Sequence, residues 1–293
     1  MRLRLIRIIV SVIAFGVLTG SLASVGGVLW GRFARWLAGV QFLNAALAFS
    51  LSTVLVWLIL TLIFGRIYCS SVCPLGTIQD IVARLPRLGA RAAAGAYFYS
   101  PPLNRWRLAM LIVTLAAIML TISSVITVLN PYGLYEQLGT WLFHPAKIAA
   151  ASVTGICVAG IVMGAVLVLA FRNGRTYCNS ICPVGTTLGF ISKYSLFHID
   201  INTDLCIHCG KCEEVCKASC INLTDCVVDG SRCVNCFDCL PVCPNKAISY
   251  THRRHQLADP LMRRIKNPLA GTAAGMNGCT PTSEPVNNPP CSK

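Results

Sequence analysis

Eight cysteines near the C-terminus fall into two groups with identical spacing. The groups are Cys206, Cys209, Cys212 and Cys216, and then Cys233, Cys236, Cys239 and Cys243. Each group reads C-x2-C-x2-C-x3-C, a spacing of thiolates that binds pairs of [4Fe–4S] clusters. Disulfide bonds are the alternative, but disulfide-rich domains are small and lack long apolar segments. The spacing therefore predicts that these eight cysteines ligate iron.

The two groups differ at the residue after the fourth cysteine. In two-cluster ferredoxins the fourth cysteine of each group ligates the other cluster, and a proline follows it. This pattern gives one cluster to Cys206, Cys209, Cys212 and Cys243, and the other to Cys233, Cys236, Cys239 and Cys216. Pro244 follows the second group, but Lys217 follows the first. Cys220 and Cys226 are additional thiols, and Cys220 is the alternative to Cys216 as a ligand, although the spacing favours Cys216.

Four more cysteines belong to an internal repeat. Residues 65–77 and 174–186 are identical at nine of thirteen positions, at a constant offset of 109 residues. Each copy contains a C-x3-C-P-x-G-T element. The pairs are Cys69 with Cys73, and Cys178 with Cys182. They either hold a further iron–sulfur cluster or act as redox-active thiols, with buried structural cysteine as the other interpretation. Because the whole element recurs, a redox or ligand role is favoured.

The composition indicates a membrane protein. Only 12% of the 293 residues are charged, whereas soluble domains carry about 25%. Four apolar runs are long enough to cross a bilayer as helices, which takes about 20 residues. They are Leu5–Leu29, Phe42–Phe64, Leu108–Leu129 and Ile148–Phe171. The first run is either a signal peptide or, as its length favours, an uncleaved anchor. Each repeat unit thus consists of two spans followed by a C-x3-C-P element.

Lysine and arginine are unevenly distributed among the segments that flank these runs. Twelve lie in the N-terminal tail, the second connection and the stretch after the fourth run, against three in the first and third connections. Because positive charge is retained on the cytoplasmic side, both termini are predicted to be cytoplasmic. The fold prediction is an α-helical membrane protein with four transmembrane helices in two repeated halves, over residues 1–198. A small α+β two-cluster domain follows at 199–250, with short strands at 227–228 and 247–250, and then a basic and finally disordered tail at 251–293.

The charge distribution and the absence of several motifs argue against some other functions. The net charge of +14 does not indicate nucleic-acid binding, since residues 199–250 carry seven acidic against four basic side chains. The sequence has no C-x-x-C-H element, no histidine within the four runs, and no G-x-G-x-x-G or P-loop pattern. Haem, dinucleotide and ATP binding are therefore not predicted. Cys279 and Cys291 lie in the tail and are poor ligand candidates.

The four runs, the two C-x3-C-P elements and the two-cluster segment together resemble the NapH family of ferredoxin-type membrane proteins. That family includes NapH and MauN, and the membrane portion of NosR-type regulators has a similar layout. The resemblance covers residues 1–250. It implies a quinol dehydrogenase component of the bacterial inner membrane that uses two [4Fe–4S] clusters, and a further cluster if the repeated cysteines hold one. The implied partners are lipid, the quinone pool, and a soluble or periplasmic iron–sulfur protein or cytochrome.

Two other functions stay open at the level of sequence. One is an assembly factor that reduces a metal or a disulfide for another enzyme, and the other is a structural anchor for a ferredoxin-like partner. The quinol-binding residues are not predicted. The third connection contains Tyr132, Tyr135, Glu136, Trp141 and His144. These residues are interpreted as an aromatic belt at the outer face of the inner membrane. The alternative is that the glutamate and the histidine accept protons from quinol.

Overall fold

The computed structural model describes residues 2–23, 28–48, 50–85, 97–120, 126, 129–143 and 153–252. Most of this part is helical. The helices are α1 (Arg2–Leu22), α2 (Val28–Gly39), α3 (Phe42–Leu47), α4 (Leu51–Phe64), α5 (Ile67–Ser71), α6 (Pro74–Val82), α7 (Asn104–Met119), α8 (Pro131–Phe143), α9 (Val153–Asn173), α10 (Thr176–Ser180), α11 (Pro183–Ser192) and α12 (Lys211–Glu214). The strands are β1 (His198–Ile201), β2 (Ile221–Asn222), β3 (Val227–Val228) and β4 (Ile248–Thr251). The predicted tail from residue 253, with Cys279 and Cys291, lies outside the described residues.

The predicted apolar runs and the helices overlap, but their bounds differ. Helix α1 ends at Leu22, before the predicted end at Leu29. The second run is divided between α3 and α4, because the N–H of Ser50 donates to the carbonyl of Ala45 and closes a turn there. Parts of the third run, at 121–125 and 127–128, and the start of the fourth, at 148–152, lie outside the described residues.

Two helical segments in the described part of the chain are long and apolar enough to cross a membrane. They are Arg2–Leu22 and Ile156–Asn173, and α4 is apolar but shorter. Only 28% of the first apolar window and 22% of the second is buried. Other helices also expose large apolar side chains, such as Leu55 on α4 and Ile112 on α7. Because soluble proteins rarely expose so much apolar surface, these faces favour contact with lipid.

The two repeats exchange their short helices. In each repeat a long apolar helix, α4 or α9, is followed by a one-turn helix, α5 or α10, and then by α6 or α11. Helix α6 packs on α9 of the other repeat, and α11 packs on α4. Pro74 and Pro183 begin α6 and α11, since proline at the first helical position sacrifices no hydrogen bond. The exchange brings the two C-x3-C elements together at the centre.

Part of the third connection forms α8, which packs against α1 and α6. Tyr132 and Tyr135 are buried there, and the Tyr135 hydroxyl lies 2.8 Å from Thr19 Oγ1. The predicted aromatic belt is therefore wrong for these two tyrosines, because they fill a helix–helix contact. Glu136 is exposed and Trp141 is partly exposed, and residue 144 lies outside the described ranges.

The C-terminal segment consists of loops held by two small antiparallel sheets. β1 pairs with β4, with Ile201 opposite Ile248, and β2 pairs with β3, with Ile221 opposite Val228. The predicted strands at 227–228 and 247–250 are present as β3 and β4. Buried isoleucines from the two sheets pack with the cysteines in one core. The sheets thus cover the loops that carry the two cysteine groups.

Candidate iron–sulfur centres

The cysteines of the C-terminal segment line two cavities. The first cavity is lined by Cys206, Cys209, Cys212 and Cys243. The second is lined by Cys216, Cys220, Cys233, Cys236 and Cys239. Each cavity thus has three cysteines of one group and the fourth of the other, and the second has Cys220 in addition. We call them the first and second ferredoxin centres.

The loops around the two cysteine groups have left-handed backbone at equivalent positions. Left-handed backbone occurs at His208 and Asn235, at Gly210 and Phe237, and at Ser219 and Lys246. Within each pair the positions are 27 residues apart, which is also the offset from Cys206 to Cys233. A left-handed non-glycine residue costs about 1–2 kcal/mol, so surrounding contacts must hold these loops. Strained loops of the same shape in both groups indicate a shared function.

The same offset of 27 residues makes Cys216 equivalent to Cys243, and Cys220 equivalent to Ala247. The N–H of Ala247 donates to Cys243 Sγ at 3.2 Å, and the N–H of Cys220 donates to the thiol of Cys216 in the same way. Cys220 Sγ lies 3.4 Å from Cys216 Sγ, and its hydrogen bond is the main cause that lowers the pKa of Cys216. By this equivalence Cys216 corresponds to the fourth cysteine of the other group, whereas Cys220 takes the place of an alanine.

The four cysteines of the repeats lie together in one buried core. Cys69, Cys73, Cys178 and Cys182 are each at most 4% exposed and belong to one apolar cluster. Because all four thiols lie in this one cluster, we call them the repeat centre. Burial raises the pKa of Cys178 to about 11 and also raises that of Cys73. Free thiols in this position are protonated at neutral pH and react poorly.

One arginine from each repeat crosses to the other repeat beside these thiols. Arg66 Nη2 donates to the carbonyl of Cys178 at 3.3 Å, and Arg175 Nη1 donates to the carbonyl of Cys69. Arg66 Nη2 also lies 3.9 Å from Cys69 Sγ. Both arginines are 0% exposed. Their positive charge would stabilise these cysteines as metal-bound thiolates, since a nearby opposite charge favours the ionised form of an acid.

The glycine of each C-x3-C-P-x-G-T element is required by a close approach. A Cβ atom at Gly76 would collide with the carbonyl oxygen of Cys69, and one at Gly185 would collide with that of Cys178. Glycine therefore lets the start of α6 or α11 lie directly on the chain around the first cysteine of its pair.

A buried ion network joins the first repeat to the C-terminal segment. Asp80 accepts a hydrogen bond from Arg175 Nε at 2.9 Å, pairs with Arg7, and lies 3.2 Å from Lys217 Nζ. Lys217 Nζ is also 2.8 Å from Asp238 Oδ2. Burial acts to raise the pKa of Asp80, but the Arg175, Lys217 and Arg7 cations outweigh it and hold that pKa well below its usual range. Asp80 is therefore ionised at neutral pH.

This network explains why the first cysteine group departs from the ferredoxin pattern at Lys217. The lysine is 2% exposed, and its carbonyl accepts a hydrogen bond from the N–H of Arg175 at 2.8 Å. A proline here would form neither ion pair. Lys217 thus attaches the C-terminal segment to the helices, a role that no local sequence signal reveals.

Replacing Lys217 with methionine is expected to lower the free energy of unfolding by about 2–4 kcal/mol, since two buried carboxylates lose a cation while the apolar stem is kept. Titration with sodium dodecyl sulfate, followed by circular dichroism of the protein in detergent, measures the change. Lys211→Met on exposed α12 is the matched control and should differ from wild type by less than about 0.5 kcal/mol. Equal stability of Lys217→Met and wild type would contradict the role given to the network.

The three centres follow one another through direct contacts. Cys236 lines the second ferredoxin centre and packs against the apolar cluster that contains the repeat centre. Arg175 interacts electrostatically with both Cys178 and Cys236. The cysteines of the two ferredoxin centres share a second apolar cluster. All four cysteines of the first ferredoxin centre are partly exposed, whereas most of those in the second are buried. The series therefore runs from the buried core to the surface.

His208 and Cys226 lie beside the first ferredoxin centre. Ligand atoms of Cys206, His208 and Cys226 lie within 4.8 Å of one another, and Cys226 Sγ is 3.7 Å from His208 Nε2. The sequence marks Cys226 only as a spare thiol and gives no sign of the histidine contact. Because Cys206 already belongs to the four-cysteine set, we regard this group as the surroundings of that centre.

The donor sets fit [4Fe–4S] clusters. Four cysteine thiolates are the ligand set of such a cluster, and each of the three centres offers at least four. The raised pKa values at the repeat centre do not oppose this, since iron bound to a thiol removes its proton.

Comparison with known families agrees with this geometry. Residues 47–91 and 157–202 match a family model described as a 4Fe–4S binding domain, and residues 199–222 match a second model of the same description. The first two segments each contain one C-x3-C pair. These matches imply iron–sulfur clusters. No solved structure matches the chain.

The relatives support the same family. "Methylamine utilization ferredoxin-type protein MauN" of Paracoccus denitrificans is 29% identical over 64% of this chain and 58% of its own length. The chain belongs to the MauN/NapH-type 4Fe–4S ferredoxin family. "Putative electron transport protein YccM" of Escherichia coli is 25% identical over 55% of this chain and 44% of its own length. An uncharacterized protein of Methanocaldococcus jannaschii is 22% identical over 68% of this chain and 70% of its own length.

Membership of this ferredoxin-type family makes the chain an iron–sulfur protein of electron transport. The chain spans only 58% of the Paracoccus MauN and 44% of YccM. The activities, substrates and partners of those whole proteins are therefore only proposals for this chain.

Proposed function

We propose that this protein is a membrane-bound electron carrier that oxidises quinol and passes the electrons through three iron–sulfur centres to a partner protein. The observation that carries the proposal is the continuous series of cysteine sites joined by Cys236 and Arg175. The proposed ligands are Cys69, Cys73, Cys178 and Cys182; then Cys216, Cys233, Cys236 and Cys239; then Cys206, Cys209, Cys212 and Cys243. Clusters bound there would accept and donate single electrons.

The side chains of this protein set the conditions for such transfer. Arg66 and Arg175 place fixed positive charge at the repeat centre, and the apolar packing around its cysteines excludes water. Both effects act on the potential of an iron–sulfur centre, because net charge and solvent exposure tune it. The exposed first ferredoxin centre is the proposed point of contact with the partner, since Leu205 and Ile207 beside it are 49% and 53% exposed.

The proposal includes four membrane spans with both termini in the cytoplasm. Arg4 at the start of α1 lies 2.8 Å from Asp238 of the C-terminal segment, and Arg7 pairs with Asp80. These ion pairs support the placement of the N-terminus and the ferredoxin centres on one side of the membrane. The exposed apolar faces of α1, α4, α7 and α9 support insertion in lipid.

Rapid mixing of the oxidised protein in lipid nanodiscs with decylubiquinol, under anaerobic conditions, tests this function. We expect the cluster absorbance to bleach and electron paramagnetic resonance signals of reduced clusters to develop. If dithionite reduces the clusters but decylubiquinol leaves them oxidised, the quinol part of the proposal is contradicted.

The assembly-factor alternative is less well supported by the thiols. A reductant of disulfides needs an accessible thiolate, whereas Cys69 and Cys178 are 4% and 3% exposed, and burial raises the pKa of Cys178. The alternative would gain support if Cys69→Ser left quinol oxidation intact but abolished maturation of a partner enzyme.

The two candidate fourth ligands of the second ferredoxin centre can be separated by mutation. Cys216→Ser is expected to lose about four iron atoms per chain, since it removes a ligand. Cys220→Ser is expected to keep the full iron content, because Cys220 corresponds to Ala247 in the other group. Iron analysis of both purified variants decides between them, and the opposite pattern would assign the ligand to Cys220.

A further inference from the structure

A large cleft lies between the start of α7, the end of α11 and the C-terminal segment. Its volume is about 800 Å³, and its lining includes Arg107, Leu108, Phe190, Tyr194, Asp225 and Ser231. This size is within the range of pockets that hold small organic ligands, which is roughly 300–1,000 Å³. None of the three cysteine centres requires it.

The cleft shares a wall with the second ferredoxin centre, and one arginine connects it to the repeat centre. Cys220 lines the cleft and also lines the second ferredoxin centre. On the other side, the carbonyl of Ser231 accepts a hydrogen bond from Arg66 Nη1 at 3.0 Å, and Arg66 also donates to the carbonyl of Cys178 in the repeat centre. A redox-active molecule in the cleft would therefore lie within a short distance of both centres.

The walls combine flat apolar groups with polar donors. Arg107 is 2% exposed, and its guanidinium lies 5.8 Å from the centre of the Phe190 ring. It donates to Ser231 Oγ at 3.2 Å, while its Nε–H has no acceptor among the described residues. A buried donor without an acceptor is costly unless a ligand or water pairs with it. An aromatic plate beside a cationic donor suits a flat ring that carries oxygen atoms.

The cleft also meets the predicted bilayer. Leu108 is the first residue of the third apolar run and is 48% exposed, and Phe190 is 45% exposed. Arg105 and Lys193 line the polar side. A ligand with a polar ring and a long apolar tail could place the ring in the cleft and leave the tail in lipid.

We propose that this cleft is the quinol-binding site, an inference that rests on the proposed function. The ring would lie beside Phe190 with one oxygen toward Arg107. On oxidation both quinol O–H bonds break and the ring becomes a quinone. Clusters held at the two neighbouring centres would each supply an acceptor for one of its two electrons, and its two protons would pass to water at the exposed carboxylate of Asp225.

Leu108→Trp tests the inference by filling the cleft from its lipid side. The matched control is Ile112→Trp, one turn further along α7, which is 56% exposed and does not line the cleft. In nanodiscs we expect Leu108→Trp to slow reduction of the clusters by decylubiquinol at least about tenfold, and Ile112→Trp to change it by less than about twofold. Iron content and dithionite-reduced spectra equal to wild type show that both variants are folded and loaded.

A second readout is independent of turnover. A photoreactive azidoquinone should label the segments around residues 99–108 and 190–194, and Leu108→Trp should reduce that labelling. Label on other segments, tightly held phospholipid that no quinone displaces, or an unchanged rate in Leu108→Trp would overturn the assignment. If decylubiquinol fails to reduce the wild-type protein, the proposed function fails first; normal wild-type reduction with an unaffected Leu108→Trp would overturn the cleft alone.

Discussion

Asp80→Asn is expected to lower the free energy of unfolding by about 3–5 kcal/mol, the usual cost of removing one partner from a buried ion network. Asp80 is the carboxylate shared by Arg7, Arg175 and Lys217, which are all at most 6% exposed. Its folded pKa is depressed, so its contribution is fully present above the ordinary carboxyl pKa of about 3.9 and is lost only as the pH falls toward the folded value. A measurement at neutral pH therefore captures the whole effect.

Detergent denaturation followed by circular dichroism measures this change, with Asp204→Asn as the matched control because Asp204 is exposed. The control should stay within about 0.5 kcal/mol of wild type. Limited proteolysis adds a structural readout, since loss of Asp80 should free the C-terminal segment from the helices. An Asp80→Asn protein as stable as the control would show that the buried cations need no partner.

Cys178→Ser is expected to remove the cluster of the repeat centre and leave the two ferredoxin clusters in place. Iron content should fall from about twelve to about eight atoms per chain, since serine replaces one of four thiolate ligands of one [4Fe–4S] cluster. The remaining clusters should keep their dithionite-reduced spectra. Reduction by quinol should slow, because one of the two centres beside the cleft is gone.

Cys157→Ser is the control for this substitution. Cys157 is an exposed cysteine on α9 and belongs to none of the three centres, so its replacement should leave iron content and spectra unchanged. If Cys178→Ser keeps the iron content of the wild-type protein, the repeated cysteines have a structural or thiol role instead.

The sequence predicts those features that depend on the spacing of nearby residues. The two cavities contain the four-cysteine sets that the crossing pattern gives, and β3 and β4 lie where short apolar runs predict strands. The 109-residue repeat likewise indicates two equivalent elements, although not that α6 packs on the long helix of the other repeat.

Contacts between distant segments could not be predicted in this way. Lys217 looks like a defect in a motif until Asp80 and Asp238 are seen beside it. Hydropathy suggested one helix over residues 42–64, but it does not report the turn at Ser50 that divides α3 from α4. The sequence places Tyr135 at a membrane surface, whereas in the structure its hydroxyl contacts Thr19 on α1. The two residues are 116 positions apart, so no local pattern reveals this contact.

Mössbauer spectroscopy with iron analysis of the anaerobically purified protein tests the three-centre relay most directly. The relay predicts about twelve iron atoms per chain, all in [4Fe–4S] clusters. About eight iron atoms, with no change in Cys69→Ser or Cys178→Ser, would contradict it, because the repeat centre would then hold no cluster.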